Sequence, residues 1–324
     1  LVLYAVNVDV PGRRFPASDL FLARSTDAGR TFGAPARVSP DGGVPTGHTF
    51  ADVAVGPDGA VVVSWLDGTA QDAWQAARPA PSEAGGVHGD SAGQPDPHHE
   101  ASAHGGMMHS SEGPGTTLVV ARSEDGRTFG APVAVAGGVC PCCRTALDIA
   151  PDGAVRVVWR HVWPGGERDP AIATSRDGGR TFGAPVRVHE DKWAIDGCPH
   201  AGPSVAAGAD GRVHVAWYTG AEGRAGLWHA VSDDGGETFA DPTALGAGAA
   251  LGQTRTARDG QGRVWLAWES RGDSRVHLTA ASGGDTTTVA GIDPALAGGA
   301  AGWTLAVVDD GAVRLHSRLA DPAQ

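Results

Sequence analysis

Ser25-Thr26-Asp27-Ala28-Gly29-Arg30-Thr31-Phe32 recurs three times along the chain. The later copies are Ser123-Glu124-Asp125-Gly126-Arg127-Thr128-Phe129, one residue shorter, then Ser175-Arg176-Asp177-Gly178-Gly179-Arg180-Thr181-Phe182 and Ser232-Asp233-Asp234-Gly235-Gly236-Glu237-Thr238-Phe239. Repetition at a near-fixed period sets an architecture before any other signal does. Ser123 and Ser175 are 52 residues apart and Ser175 and Ser232 are 57 apart, whereas Ser25 and Ser123 are separated by 98. The excess marks an insertion at about residues 70–115. In each copy the Ser and Asp side chains are suited to bond local backbone N–H groups, Gly suits a left-handed position, and the aromatic suits packing beneath the turn.

A second marker lies between the first ones. Asp-Gly turns precede alternating Val-rich runs: Asp58-Gly59 before 61–65, Asp152-Gly153 before 155–159, Asp210-Gly211 before 213–218, Asp259 to Gly262 before 264–268, and Asp310-Gly311 before 313–316. Each unit therefore reads strand 1, Asp-Gly turn, strand 2, variable loop, strand 3, the repeated phrase, strand 4. Four-stranded antiparallel units repeating every 50 to 60 residues predict an all-β fold, a β-propeller occupying 1–324 as a single domain. Four units are complete. The start lacks a strand 1 and the end shows strands 1 and 2, so the count stands at five or six blades.

The phrase resembles the Asp-box of the sialidase superfamily, and the likeness runs through nearly the whole chain. It implies a six-bladed β-propeller with the phrase turning strand 3 into strand 4, on the face opposite an active site. The activity does not follow. A sialidase needs three arginines converging on a carboxylate, a Tyr–Glu pair and an Asp acid/base. The N-terminal Arg-Ile-Pro motif of that family is absent, with Arg14-Phe15-Pro16 in its place, and Tyr4 and Tyr218 are the only tyrosines. No residue is carried over as a sialidase catalyst, and the resemblance places this chain in a metal-binding, non-sialidase branch.

Bulk composition narrows the partners. A net charge of −12 with a single lysine, Lys192, excludes a basic nucleic-acid surface. No apolar run is long enough to span a bilayer. The chain opens at Leu1 without a secretion signal, as a processed protein does, and its cysteines suit a periplasmic or secreted location.

The Asp-Gly turns serve as a ruler. Ten residues before Asp58, Asp152 and Asp210 stand His48, Cys142 and His200. Twelve before the latter two stand Cys140 and Cys198, in the matching strings Cys140-Pro141-Cys142 and Cys198-Pro199-His200. Strand 1 lines the channel of a propeller, so equivalent positions at its start converge on the channel mouth. Thiolate with imidazole selects copper, or alternatively zinc. Cys143 is a further candidate ligand, and Arg144, Trp163 and Tyr218 are candidates to surround the metal. The competing reading is a Cys140–Cys198 disulfide with the remaining Cys and His as ordinary packing.

Within the insertion, His98, His99, His104, Met107, Met108 and His109 form a His/Met-rich tract that suits an auxiliary copper site, against a disordered polar loop as the plain alternative. The reading is a copper-binding propeller: a copper-dependent oxidase, or a copper-handling protein with a donor or acceptor protein partner. The alternatives are an exo-sialidase or other glycoside hydrolase acting on a small-molecule substrate, and a disulfide-stapled interaction scaffold.

Overall fold

The computed structural model describes residues 1–11, 16–27, 29–40, 45–77, 113–195, 197, 199–247, 252–270, 272–299 and 302–319. Cys198, and the tract from His98 to His109 with Met107 and Met108, lie outside the described residues.

Six antiparallel sheets follow one another along the chain. The first holds β1 (Val2–Val8), β2 (Ala17–Ala23) and β3 (Ala36–Arg37). The second holds β4 (His48–Val55), β5 (Val61–Asp67), β6 (Thr117–Ser123) and β7 (Val133–Ala136), with helix α1 (Thr69–Ala76) leaving β5. The third runs β8 (Ala146–Ile149), β9 (Val155–Arg160), β10 (Pro170–Ser175) and β11 (Val186–Arg187). The fourth runs β12 (Ser204–Ala207), β13 (Val213–Thr219), β14 (Gly226–Ser232) and β15 (Thr243–Ala247). The fifth runs β16 (Thr254–Arg258), β17 (Val264–Ser270), β18 (Arg275–Ala280) and β19 (Thr287–Ala290). The sixth holds β20 (Ile292–Gly299), β21 (Gly302–Asp309) and β22 (Ala312–Leu319). Four four-stranded sheets are thus flanked by two three-stranded ones.

The alternation of each strand explains the stacking, because successive side chains point to opposite faces. In β5, Val61, Val63 and Trp65 face Leu20 and Leu22 of the first sheet. Val62 and Leu66 face Val155, Val157 and Trp159 of the third. The same sandwiching joins the third sheet to the fourth through Val158, Ile172, Val215 and Trp217, and the fifth to the sixth through Trp265, Leu278, Trp303 and Leu305. First strands meet in series, β4 on β8, β8 on β12, β12 on β16 and β16 on β20. Carboxylates tie them: Leu147 N donates to Asp52 Oδ2 at 2.8 Å, and Ala207 N to Asp148 Oδ2 at 2.9 Å.

The repeated phrase joins the third and fourth strands of sheets two, three and four, and β2 to β3 in the first sheet. In the third copy Ser175 Oγ donates to Asp177 Oδ1 at 2.7 Å and accepts Gly179 N at 2.7 Å, while Thr181 N reaches Asp177 Oδ1 at 2.9 Å. The first and fourth copies repeat these bonds. Phe129, Phe182 and Phe239 pack against the cores between sheets, whereas Phe32, in the terminal sheet, is exposed.

Four Asp-Gly turns fall between first and second strands as the spacing predicts. Gly59, Gly153, Gly211 and Gly262 take positive φ of 81, 83, 81 and 79°. The fifth departs from the pattern. Asp310-Gly311 joins β21 to β22, after an additional strand, β20, that the sequence did not announce. β20 starts beside Ser274 and ends beside Gly260, so this turn lies at the opposite end of its sheet from the other four.

Candidate metal centre

Cys140, Cys142 and Cys143 sit on the loop between β7 and β8. Two backbone bonds shape it. Cys140 N donates to Arg160 O at 2.9 Å, tying the loop to the end of β9, and Cys143 N turns back to Cys140 O at 3.5 Å. The three side chains point inward with Val162 packed against them, and all three are free thiols. Cys140 Sγ lies 3.5 Å from Cys142 Sγ and 3.4 Å from Cys143 Sγ, and the three sulfurs fall within 4.8 Å of one another. Metal–sulfur bonds of about 2.3 Å in a tetrahedral site put sulfurs about 3.8 Å apart. The two Cys140 separations lie within about 0.4 Å of that spacing. Among the described residues this is the one such group of three His, Cys, Asp or Glu ligands.

The electrostatics favour one sulfur, Cys140, as the anion. Hydrogen bonds from the Cys142 and Cys143 thiols, with the nearby Arg160 charge, hold Cys140 far below the ordinary thiol range despite its burial. Cys142 and Cys143 are pushed upward in turn, chiefly by their bonds to Cys140. Arg168 Nη1 donates to Cys140 Sγ at 3.6 Å and to Gly197 O at 2.8 Å. Arg160, 1% exposed, spends its donors on carbonyls: Ala201 O at 2.8 Å, Tyr218 O at 2.7 Å and Arg168 O at 2.5 Å. Its guanidinium stacks 4.8 Å from the Trp193 ring. Arg160 and Arg168, on and after the end of β9, are both buried beside the sulfurs.

The other sequence candidates scatter. His48 is buried as the first residue of β4, and its ring is already committed: Nδ1 donates to Ser18 O at 2.6 Å and Nε2 lies 3.4 Å from Asp67 Oδ2. Burial alone would lower His48, but the bonds to Asp67 and Ser18 outweigh it and raise the imidazole above its ordinary value. His200 is exposed, with φ of 52°, and Gln253 Nε2 holds its carbonyl at 2.6 Å. Neither imidazole joins the sulfur cluster. Trp163 packs on His161 and beneath Arg187 rather than on the cysteines. Tyr218 reaches the centre through its carbonyl on Arg160 and through its ring, edge-on to Trp193. Arg144 is exposed and its charge acts on Arg255.

Arg255 marks a second feature. It is half-buried on β16, and its pKa is lowered first by loss of solvation and then by the Arg144 charge, against the opposing pull of Asp52, Asp293 and Glu269.

No protein-family model and no curated protein matches the chain. Solved structures do. The chain is similar to Hadza microbial sialidase Hz136, with 15% identity and a TM-score of 0.58 over 93% of this chain and 59% of that one. It is similar to the Penicillium chrysogenum alpha-L-arabinanase at 13% identity and a TM-score of 0.56, covering 98% and 93%. The leech intramolecular trans-sialidase follows at 11% and 0.55, covering 94% and 63%. The chain therefore spans about three fifths of the length of the two sialidase structures. At these identities the likeness establishes a sialidase-like β-propeller fold and no more.

Proposed function

We propose that this sialidase-like propeller binds a soft metal ion, copper(I) in the first instance and zinc as the alternative, through Cys140, Cys142 and Cys143. The observation that carries the reading is the convergence of three buried sulfurs with Arg168 donating to one of them. Thiolates select such ions over calcium or magnesium, and the metal would supply a redox-active or structural centre depending on its identity. Cys198 is the proposed fourth ligand, resting on its register with Cys140 and on Arg168 bridging Cys140 Sγ and the adjacent Gly197 carbonyl. The proposed role is copper handling or copper-dependent oxidoreduction outside the cytoplasm, with the His/Met tract of the insertion as an auxiliary site. Metal analysis of untagged, reduced protein tests it. One equivalent of copper or zinc, lost in Cys140→Ser, supports the reading, and no stoichiometric metal after reconstitution overturns it.

A second reading has its own observation. Arg255 and Arg144 bring two positive charges together beside Asp52, Asp293 and Glu269. On a fold shared with sialidases and an arabinanase, such a pair suits the carboxylate of an acidic sugar. Turnover of a fluorogenic sialoside, abolished by Arg255→Ala, supports hydrolysis; inactivity on acidic-sugar substrates removes it.

A further inference from the structure

The geometry points to a reversible disulfide between Cys140 and Cys143, formed by a small oxidant of the peroxide class, that switches the sulfur cluster between a ligand set and a closed form. Neighbouring cysteines rarely reach bridging geometry. The structure changes that for one pair. Cys143 N turns back to Cys140 O at 3.5 Å, the bond of a four-residue turn. Such turns bring their terminal Cα atoms within about 7 Å, and disulfides span Cα separations of about 4.4 to 6.8 Å. The two sulfurs already lie 3.4 Å apart. Cys142 is joined to Cys143 by a single peptide bond, and it is separated from Cys140 by one residue, so neither of its pairings has the benefit of that turn.

Burial fixes the class of oxidant. Cys140 and Cys143 are each 2% exposed and Cys142 is 5% exposed. A protein partner has no access to these sulfurs, whereas hydrogen peroxide is small enough to reach them. One thiol sulfur attacks a peroxide oxygen, the O–O bond breaks, and the sulfur becomes a sulfenic acid with release of water. The second sulfur then attacks the first, displaces its hydroxyl as a second water, and the S–S bond forms. Two electrons leave the sulfurs, peroxide is reduced to two waters, and both thiol protons end in water. A low-molecular-weight dithiol reverses the step.

The bridge forms whether or not a metal binds at other times, while its consequence for metal rests on the reading above. Oxidation removes two of the three clustered sulfurs at once and leaves Cys142 as the one remaining sulfur of the cluster beside the proposed Cys198 ligand.

The test uses the whole, metal-free, reduced protein. It is treated with hydrogen peroxide, alkylated in denaturant, and mapped by peptide mass. The expected result is the loss of two alkylatable thiols and a Cys140–Cys143 linkage, reversed by dithiothreitol. Cys142→Ser keeps the linkage and Cys143→Ser abolishes it. Unchanged thiols, irreversible sulfinic acid, or a bridge to Cys198 overturns the inference. Copper(I) retention is then compared in the oxidised and reduced forms. A disulfide that forms in a protein binding no metal when reduced refutes the metal reading and leaves the switch standing. Retention that is equal in both forms refutes the metal-release role.

Discussion

Arg168 Nη1 donates to Cys140 Sγ at 3.6 Å, so a buried guanidinium is held directly against the sulfur that both neighbouring thiols also address. A hydrogen bond to the charged form of a group favours that form. Arg168→Gln should therefore move the thiolate titration of reduced protein, followed by ultraviolet absorbance, to higher pH. Arg144→Gln should leave it in place, because Arg144 is exposed and its charge acts on Arg255. An equal response of the two variants would show that general positive charge, rather than the Arg168 contact, governs Cys140.

Buried His48, at the start of β4, pairs with half-buried Asp67, at the end of β5. Burial favours a protonated Asp67, but the bonds from His48 and Thr69 hold its carboxyl down at about 2. His48 is raised above 6.5. The stabilisation from raised His48 is full below about 6.5 and fades as pH rises through its folded value; that from lowered Asp67 is full above about 4 and fades towards about 2. The pair thus contributes most between about pH 4 and 6.5. His48→Gln should cost about 1–3 kcal/mol in urea unfolding within that window while leaving copper stoichiometry unchanged. Loss of copper in a folded His48→Gln protein would return His48 to the ligand set.

Particular residues show why some of this was legible in sequence. The repeated phrase and the Asp-Gly turns are local motifs whose bonds stay within a few residues, so their spacing translated directly into strand order for sheets two to four. The ruler failed where strand length changed. β4 has eight residues with a register shift between Thr49 and Asp52, whereas β8 and β12 have four each. Ten residues before the turn therefore falls inside a paired strand for His48 but in a loop for Cys142 and His200. Asp310-Gly311 failed because a turn motif does not say which pair of strands it joins. The sulfur cluster was legible, since three cysteines in four residues are forced together by the chain. Arg160 and Arg168 were not, because nothing local reveals that a loop arginine spends its donors on carbonyls and sulfur contributed by distant segments.

The four copies of the phrase make an internal control for packing. Phe182 lies against the core between the second and third sheets, and Phe32 is 47% exposed. Phe182→Ala should cost about 2 kcal/mol or more, below the 3–5 kcal/mol of a fully buried Phe. Phe32→Ala should fall within about 0.5 kcal/mol of wild type. Equal losses in thermal unfolding would mean that Phe32 is covered in solution.

Gly202 is where the fourth sheet meets the cysteine loop. A Cβ on Gly202 would overlap the carbonyl of Arg144, the residue after Cys143. The obstruction is backbone, so no rotamer change relieves it. Gly202→Ala should push the loop away from its place and loosen the three sulfurs together. The expected signature is a drop in metal affinity and faster alkylation of all three cysteines under native conditions. Normal affinity with slow alkylation would show that the loop takes up the displacement without moving its sulfurs.

His214 and His229 supply an acid-sensitive element away from the cysteines. Their rings are parallel within 2°, with His214 Nδ1 3.0 Å from His229 Nε2, and both are buried. Burial lowers both, His229 to about 4, with His214 adding to the shift of His229. The folded state therefore resists protons that the unfolded chain accepts below about 6.5, so stability falls as pH drops from 6.5 towards 4. For His229 the loss approaches about 3 kcal/mol at about 1.4 kcal/mol per pH unit. This runs opposite in sign to His48, whose contribution is gained as pH falls towards about 6.5 and is full below it, so the two must be separated by variants. His229→Leu should flatten the acid limb of urea-unfolding stability against pH, while His48→Gln should leave that limb steep. An acid limb unchanged in His229→Leu would place the sensitivity elsewhere.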